Sequence, residues 1–196
     1  MDPIILASSS PRRQNILNSL RIPFQTIIPN IDESVGERMD IHDVPEFLAR
    51  TKVSSVRKSL GLQKFVPWIL GADTIVIHRN SIYGKPKSAE EALEFLKAFS
   101  GSKHIVKTAI ALYNGKTGKI STRESITELQ FCKLSDDELN WYVDTGEWHG
   151  AAGGYRIQGM ASLFIKHISG SMSGVEGLPI FELYDILKEQ GYLLTE

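Results

Sequence analysis

The fold is decided by one stretch near the start of the chain, Ile4-Ile5-Leu6-Ala7-Ser8-Ser9-Ser10-Pro11-Arg12-Arg13. Its apolar part, Ile4–Ala7, predicts a buried strand, because a short apolar run bounded by turn-forming residues is typical of strands inside a sheet. Ser10 and Pro11 then predict a helix start, since serine is favoured at the N-cap and proline at the first helical position. One face of this helix carries Ile16, Leu17 and Leu20.

The rest of the chain continues this mixture of strands and helices. Further strands are predicted at Phe24–Ile28, Trp68–Ile77, Ser81–Gly84, Ile105–Tyr113, Ile120–Phe131 and Ser162–His167. Helices are predicted after the capping boxes Asp43/Glu46 and Ser88/Glu91, after the cap at Ser135, and over Leu178–Gln190. The pattern predicts an α/β fold with a mixed, twisted sheet and flanking helices.

Length and composition limit the classes of function. At 196 residues the chain can bury the core of one substantial domain, or of two lobes that share a cleft. A net charge of −1 argues against nucleic acid as a partner, because broad binding to it needs a strongly basic face. The single cysteine, Cys132, cannot form an internal disulfide, and no stretch resembles a signal peptide or a membrane span. The sequence therefore predicts a soluble, cytoplasmic protein with no membrane partner.

Arg12 and Arg13 break a local rule of helix formation. Both would lie in the first turn of the predicted helix, where a positive charge opposes the helix dipole at a cost of about 0.3–1 kcal/mol each. An anion would remove the conflict, because backbone N–H groups, serine hydroxyls and two guanidinium groups would converge on a phosphate. Two solvated arginines on a surface helix are the alternative interpretation of the same spacing.

Asp73 breaks a second rule, since it lies within the apolar run Ile69–Val76. A carboxylate in such a run must find a cation, a metal or hydrogen-bond donors, or take up a proton. The neighbouring Gly71 weakens the strand and allows a ligand or another backbone to approach closely. The alternative is an aspartate on an edge strand that points to water.

Charged residues at other element ends extend the set. Lys52 lies in a helical row that is otherwise apolar, so it must either snorkel to water or reach a counter-charge in a cleft. Lys85 follows a short strand in Gly84-Lys85-Pro86, and Asp32-Glu33 follows another strand; each alone fits a solvated turn. Together these cations and carboxylates suit a metal–triphosphate substrate, because α/β proteins bind ligands at strand ends and helix starts.

Six motifs occur in order along the chain: Ser8-Ser9-Ser10-Pro11-Arg12-Arg13, Gly71-Ala72-Asp73-Thr74, Gly84-Lys85-Pro86, Ser100-Gly101-Ser102-Lys103-His104, Ala152-Gly153-Gly154-Tyr155-Arg156-Ile157-Gln158-Gly159 and Gly177-Leu178-Pro179. Over residues 4–190, in order and spacing, they resemble the Maf proteins, which are nucleoside triphosphate pyrophosphatases related in fold to the inosine triphosphatases. The resemblance implies one domain over residues 1–196, elongated, with two lobes around a central cleft. Dimers are common in the family, which leaves a homodimer open.

The resemblance also implies a reaction and its residues. Maf proteins cleave between the α- and β-phosphates with a divalent cation, Mg²⁺ or Mn²⁺, and release a nucleoside monophosphate and pyrophosphate. By motif match, Asp73 would accept the proton of the attacking water and also touch the metal, and Glu33 would hold the metal. The phosphate-binding residues would be Ser8, Arg12, Arg13, Lys52 and Lys85.

The substrate branch is implied by Arg12, Thr74 and Gln158, which resemble the branch acting on dTTP and UTP, with modified pyrimidine nucleotides as further candidates. A glutamine amide offers one donor and one acceptor, which matches N3–H and O4 of uracil or thymine, whereas glutamate only accepts and suits guanine. Near the expected base pocket, Ala151 and Arg156 depart from the family's usual lysine and glycine. The alternatives are a 7-methyl-GTP or other purine pyrophosphatase, and a low-turnover nucleotide- or nucleic-acid-binding regulator of division.

Overall fold

The computed structural model describes residues 1–33, 39–61 and 65–194 of the chain. Within these residues, seven strands form one sheet: β1 (Ile4–Ala7), β2 (Phe24–Thr26), β3 (Trp68–His78), β4 (Ser81–Tyr83), β5 (Lys103–Asn114), β6 (Lys119–Phe131) and β7 (Ile165–Ser169). The helices are α1 (Pro11–Ser19), α2 (Val44–Ser59), α3 (Ala89–Phe99), α4 (Asp136–Asp144), α5 (Met172–Glu176) and α6 (Ile180–Glu189). No helix in the described part of the chain is long and apolar enough to cross a membrane.

The sheet is mixed, as the sequence predicts. Its strand order is β2-β1-β3-β5-β6-β7, with β4 beside β3. β1 is parallel to both β2 and β3, whereas β4 is antiparallel to β3 and β7 is antiparallel to β6. The parallel pair β1 and β2 is joined through α1, because a parallel connection needs a crossover segment. The predicted α/β class is confirmed.

Contacts divide the chain into two units, each with its own core. Unit 1 comprises Met1–Asp73, Thr108–Ser125 and Gly177–Glu196, and unit 2 comprises Thr74–Lys107 and Ile126–Glu176. The divisions fall inside β3, β5 and β6, so each of these strands contributes residues to both units.

In unit 1, alternate strand residues face different helices. One row, which includes Leu6, Leu70 and Leu112, packs with apolar residues of α1 and α6. The alternate residues of the same strands lie on the opposite face; they include Ala7, Ile69 and Ala111, and they pack against Ala49, Val53 and Val56 of α2. Side chains alternate along a strand, so Asp73, four residues after Ile69, lies on the face that α2 covers. The small alanines of that face let α2 lie close to the sheet.

In unit 2, buried aromatic side chains enclose His104. Its ring stacks on Phe99 with 4.4 Å between centroids, and its Nε2 lies 2.8 Å from the Tyr155 hydroxyl oxygen. Burial, and secondarily His78, lower the pKa of His104 from 6.5 to about 3. His104 is therefore a neutral core residue at physiological pH.

Acid should weaken this core. Between pH 6.5 and about 3 the unfolded chain binds a proton at His104 that the folded chain does not. The free energy of unfolding should therefore fall as the pH is lowered, by up to about 1.4 kcal/mol per pH unit from this group. Urea unfolding of the native chain and of His104→Gln at pH 7 and pH 5 measures the effect. The native chain should lose about 2 kcal/mol more than the variant, whose amide does not titrate. An equal loss in both would contradict this assignment.

One predicted capping box is wrong. Asp43 is at the N-cap of α2, but its own backbone is already helical (φ −88°, ψ −16°) and its side chain makes no capping hydrogen bond. Glu46 instead accepts a hydrogen bond from Thr122 Oγ1 at 3.1 Å, so tertiary contact replaces the local cap. In the predicted box at Ser88, the hydroxyl accepts a hydrogen bond from the Glu91 N–H at 3.2 Å. The Glu91 carboxylate accepts from the N–H of Lys87, one residue before the cap, so the second bond of the box is displaced by one residue.

The predicted strand Ser162–His167 begins too early. Met160–Phe164 is a 3-10 helix, and β7 starts only at Ile165. Ala161 and Phe164 are buried, whereas Leu163 is 73% exposed. Burial at a spacing of three residues matches a 3-10 helix and not the alternation of a strand. The prediction of a strand there is therefore wrong for its first half.

Candidate active site

Asp73 is buried in β3, with only 7% of its surface exposed. Its Oδ1 lies 2.6 Å from Lys52 Nζ, and the same Nζ lies 2.8 Å from Oε1 of Glu33. Lys52 is itself only 6% exposed. Asp73 therefore does not point to water and Lys52 does not snorkel to the surface. The lysine instead reaches two carboxylates inside unit 1.

The close fit of α2 on β3 brings these charges together. Gly71 and Asp73 are two residues apart on the strand and so share the face under α2. A Cβ at Gly71 would lie 2.6 Å from the Ala49 carbonyl oxygen and 2.8 Å from Val53 Cγ2. Gly71 therefore serves the close approach of another backbone, and Lys52, one helical turn after Ala49, reaches the carboxylate.

Gly71→Ala should destabilise the chain by about 1–3 kcal/mol. The added methyl group would meet a backbone carbonyl of α2, which can move only if the whole helix shifts and carries Lys52 with it. Urea unfolding midpoints measure the loss. Gly84→Ala is the matched control, because a Cβ there has no neighbour within 4 Å among the described residues. Equal midpoints for the two variants would contradict the close packing of α2 against Gly71.

The loop from Ser8 to Arg13 begins beside the part of β3 that carries Asp73. β1 and β3 are parallel, with Ala7 opposite Gly71. β1 ends at Ala7 whereas β3 continues to His78, so the loop leaves the sheet next to the Gly71–Asp73 segment of β3. The carboxyl end of a parallel strand is where α/β proteins bind ligands.

Ser8 organises this loop. Its Oγ accepts a hydrogen bond from the Ser10 N–H at 3.1 Å and another from Arg13 Nη1 at 3.0 Å. A hydroxyl oxygen has two acceptor positions and one proton. With both acceptor positions used, the proton of Ser8 can be donated to an anion.

Arg13 is fixed in place and is not a solvated surface arginine. It is 8% exposed, and its Nε donates to the Gly177 carbonyl oxygen at 2.8 Å. Burial lowers the pKa of its guanidinium, and the charge of Asp73 opposes that shift. Arg12 is half-buried beside it in the first turn of α1, which contains no acidic residue. The predicted placement of two arginines at a helix N-terminus is confirmed.

The surroundings of Asp73 make it a stronger base than an ordinary aspartate. Burial raises the pKa of its carboxyl above the usual range, and the nearby Glu33 adds to the rise. Lys52 and then Arg13 act in the opposite direction without cancelling it. A carboxylate with a raised pKa in a cationic setting can accept a proton from a neighbouring water.

Two of these residues could hold a metal. Over the described ranges, no group of three or more His, Cys, Asp or Glu side chains could bind a metal ion. Glu33 and Asp73, however, converge on one positive centre, the ammonium of Lys52. Such a pair suits Mg²⁺, which needs only one or two protein carboxylates when substrate phosphates complete its coordination.

The remaining predicted site residues belong to unit 2. Thr74 follows Asp73 in β3 and is half-buried, and Lys85 is exposed in the turn between β4 and α3. That turn is tied to the glycine-rich segment by a hydrogen bond from the Gly153 N–H to the Gly84 carbonyl oxygen, at 2.9 Å. Gln158 is exposed. The candidate residues that unit 1 brings together are Ser8, Arg12, Arg13, Glu33, Lys52 and Asp73.

Sequence patterns miss two features of the molecule. The carbonyl that anchors Arg13 belongs to Gly177, which is 164 positions away, and a backbone acceptor leaves no signal in side-chain patterns. Lys107 is a different case, because it is buried in β5 and interrupts an apolar run as Asp73 does. The rule that selects Asp73 would have selected Lys107 as well.

A mixed α/β sheet in which a loop rich in serine and arginine leaves one strand end beside a buried acid of the next strand is typical of proteins that handle phosphorylated ligands. The family model described as Maf-like protein matches residues 3–190, and the chain belongs to the Maf family. The dTTP/UTP pyrophosphatase of Treponema denticola is 45% identical, covering 96% of this chain and 97% of that protein. The dTTP/UTP pyrophosphatase of Desulforamulus reducens is 40% identical, covering 97% and 98%.

A solved structure, that of the Staphylococcus aureus Ham1 protein, is also similar. It shares 14% sequence identity at a TM-score of 0.47, and the match covers 66% of this chain and 72% of that one.

Proposed function

We propose that this chain, as one enzyme domain, hydrolyses nucleoside triphosphates to the monophosphate and pyrophosphate, with dTTP and UTP as substrates. The full-length relatives named dTTP/UTP pyrophosphatase support the substrate. The observation that carries the chemistry is the buried Asp73, whose partner Lys52 also contacts Glu33, beside the strand end from which the Ser8–Arg13 loop begins.

In the proposed reaction, a water oxygen bonds to the α-phosphorus while the bond from that phosphorus to the α–β bridging oxygen breaks. Asp73 takes the proton of the water, which its raised pKa favours. The electron pair of the broken bond leaves with pyrophosphate. Phosphoryl transfer depends mainly on positioning and on neutralised charge, which fixed cations supply without reorganisation.

The phosphates would be held by hydroxyl and cationic groups. The hydroxyl of Ser8 can donate outward, and Arg13 is held rigidly by Ser8 and Gly177. The roles of Arg12, Lys52 and Lys85 as further phosphate ligands rest on the family motifs. Glu33 and Asp73 would hold a divalent cation, Mg²⁺ or Mn²⁺, which neutralises charge on the phosphate oxygens when bound.

The base would be selected by Gln158, with Arg12 and Thr74 contributing. An amide can donate to O4 and accept from N3–H of uracil or thymine at the same time. Replacing such a matched pair leaves polar groups unpaired, which penalises the wrong base strongly.

Gln158→Glu should lower kcat/KM for UTP and dTTP by about tenfold or more and change GTP much less, because glutamate has no donor for O4. Steady-state kinetics with each triphosphate measure this. Gln25→Glu, an exposed residue of β2, is the control for the added negative charge. A loss of equal size for every base would rule out base recognition by Gln158.

The function itself is tested by a panel of nucleoside triphosphates with Mg²⁺ or Mn²⁺, in which pyrophosphate and orthophosphate are measured separately. UTP and dTTP should give monophosphate and pyrophosphate. Orthophosphate with accumulating nucleoside diphosphate would rule out cleavage between the α- and β-phosphates. Faster turnover of GTP or 7-methyl-GTP would assign a purine substrate, and binding without turnover would assign a regulator.

A further inference from the structure

Gln158 lies at the tip of a tight turn in unit 2. The turn runs from Arg156 to Gly159 and is closed by a hydrogen bond from the Gly159 N–H to the Arg156 carbonyl oxygen, at 3.1 Å. Gln158 is its third residue and is exposed. An exposed side chain at a turn tip is oriented by the backbone that carries it. The contacts that hold the backbone of this turn therefore also determine the direction of the Gln158 amide.

Glu147 fixes one end of this turn. Its Oε1 accepts a hydrogen bond from the Met160 N–H at 3.1 Å, directly after the turn. The same carboxylate fills the space beside Gly159, where an added Cβ would overlap it. Gly159 has φ −112°, which other residues also adopt. A Cβ at residue 159 would therefore displace the carboxylate, whereas the backbone conformation alone would accept another residue.

Residues at the end of α4 hold both Glu147 and the Arg156 end of the turn in place. Thr145 Oγ1 donates to the Tyr142 carbonyl oxygen at 2.6 Å and accepts from the Glu147 N–H at 3.2 Å. The buried Tyr142 hydroxyl accepts from the Arg156 N–H at 3.2 Å. The turn is thus fixed at Arg156 by Tyr142 and at Met160 by Glu147.

We propose that Glu147 is a positioning residue for base recognition, because its carboxylate fixes the turn that presents Gln158 to the pyrimidine. This inference rests on the proposed function, in which Gln158 recognises the base. Glu147 acts through the Gly159–Met160 backbone and not by touching the substrate. Recognition through two hydrogen bonds tolerates little displacement, so a loosened turn should lose discrimination before it loses phosphate chemistry.

The test compares UTP with CTP, which differ only at the base edge that Gln158 would contact. Glu147→Ala should lower the ratio of kcat/KM for UTP over CTP by about tenfold, mainly through a higher KM for UTP. Glu147→Gln should keep most of the ratio, because its amide oxygen still accepts from the Met160 N–H. Asp144→Ala, an exposed residue at the end of α4, is the control and should leave the ratio unchanged.

Gly159→Ala provides a second route that keeps Glu147 in the chain, and it serves if Glu147→Ala does not fold. Its methyl group should displace the carboxylate and lower the ratio by a similar factor. The double variant Glu147→Ala/Gly159→Ala should then be no worse than either single variant, since both remove one contact.

Three outcomes would overturn the inference. If Gln158→Ala lowers the UTP/CTP ratio and neither Glu147→Ala nor Gly159→Ala does, Glu147 has no positioning role, although the proposed function stands. If Glu147→Ala lowers UTP and CTP turnover equally, its role is structural. If Gln158→Ala leaves the ratio unchanged, base recognition by Gln158 is itself wrong, and the inference falls with it.

Discussion

Asp73→Asn is expected to lower kcat by about 10²-fold or more while nucleotide binding stays nearly unchanged. Asparagine has almost the same shape and keeps an oxygen for the Lys52 ammonium, which lies 2.6 Å from the native carboxylate. It cannot take a proton from water at neutral pH. Kinetics of pyrophosphate release, together with calorimetric titration of a non-hydrolysable triphosphate analogue, separate turnover from binding.

The control for this variant is Asp137→Asn, an exposed residue in the first turn of α4 that should keep native kcat. In the native enzyme, kcat should also fall as acid protonates Asp73, at a higher pH than for an ordinary aspartate because burial raises its pKa. Near-native turnover of Asp73→Asn would show that another group accepts the proton.

Lys52→Met is expected to lower the free energy of unfolding by about 3–5 kcal/mol at pH 7, because it leaves the buried Asp73 without its nearest cation. The pKa of Asp73 should rise further in this variant. Protonation then removes the unpaired charge of Asp73, so the difference in the free energy of unfolding between the native chain and the variant should shrink as the pH is lowered. Urea unfolding of both chains from pH 7 to pH 5 measures the deficit and its pH dependence.

Lys58→Met is the matched control, since Lys58 is exposed near the end of the same helix. The double variant Lys52→Met/Asp73→Asn should be more stable than Lys52→Met alone, because it no longer buries a charge. If Lys52→Met and Lys58→Met unfold at the same urea concentration, the ion pair does not support the fold at this position.

The residues that violate local rules proved the most informative part of the sequence. Asp73 in an apolar strand and Lys52 in an apolar helical row each needed either water or a partner, and in the folded chain they are each other's partner. Apolar rows spaced for strands or helices likewise predict the α/β class, because burial of one face leaves a period in the sequence. Energetic conflict and periodicity are both local properties, so they can be detected without the fold.

Features that depend on distant contacts could not be predicted in this way. Asp43 has the residue type of a cap, but Glu46 bonds Thr122 of β6 instead of completing a local box. The support of Gln158 by Glu147 depends on the space beside Gly159 and on a backbone N–H, neither of which leaves a pattern in the sequence.

The hydrogen bond between Arg13 and Gly177 sets a minimum length of chain that must be synthesised before the Ser8–Arg13 loop is complete. A ribosome makes every residue of unit 2 by Glu176, one residue before the acceptor that Arg13 requires. The Arg13 side chain can therefore reach its final orientation only after residue 177 has been added. A loop translated among the first residues is completed only when most of the chain has been made.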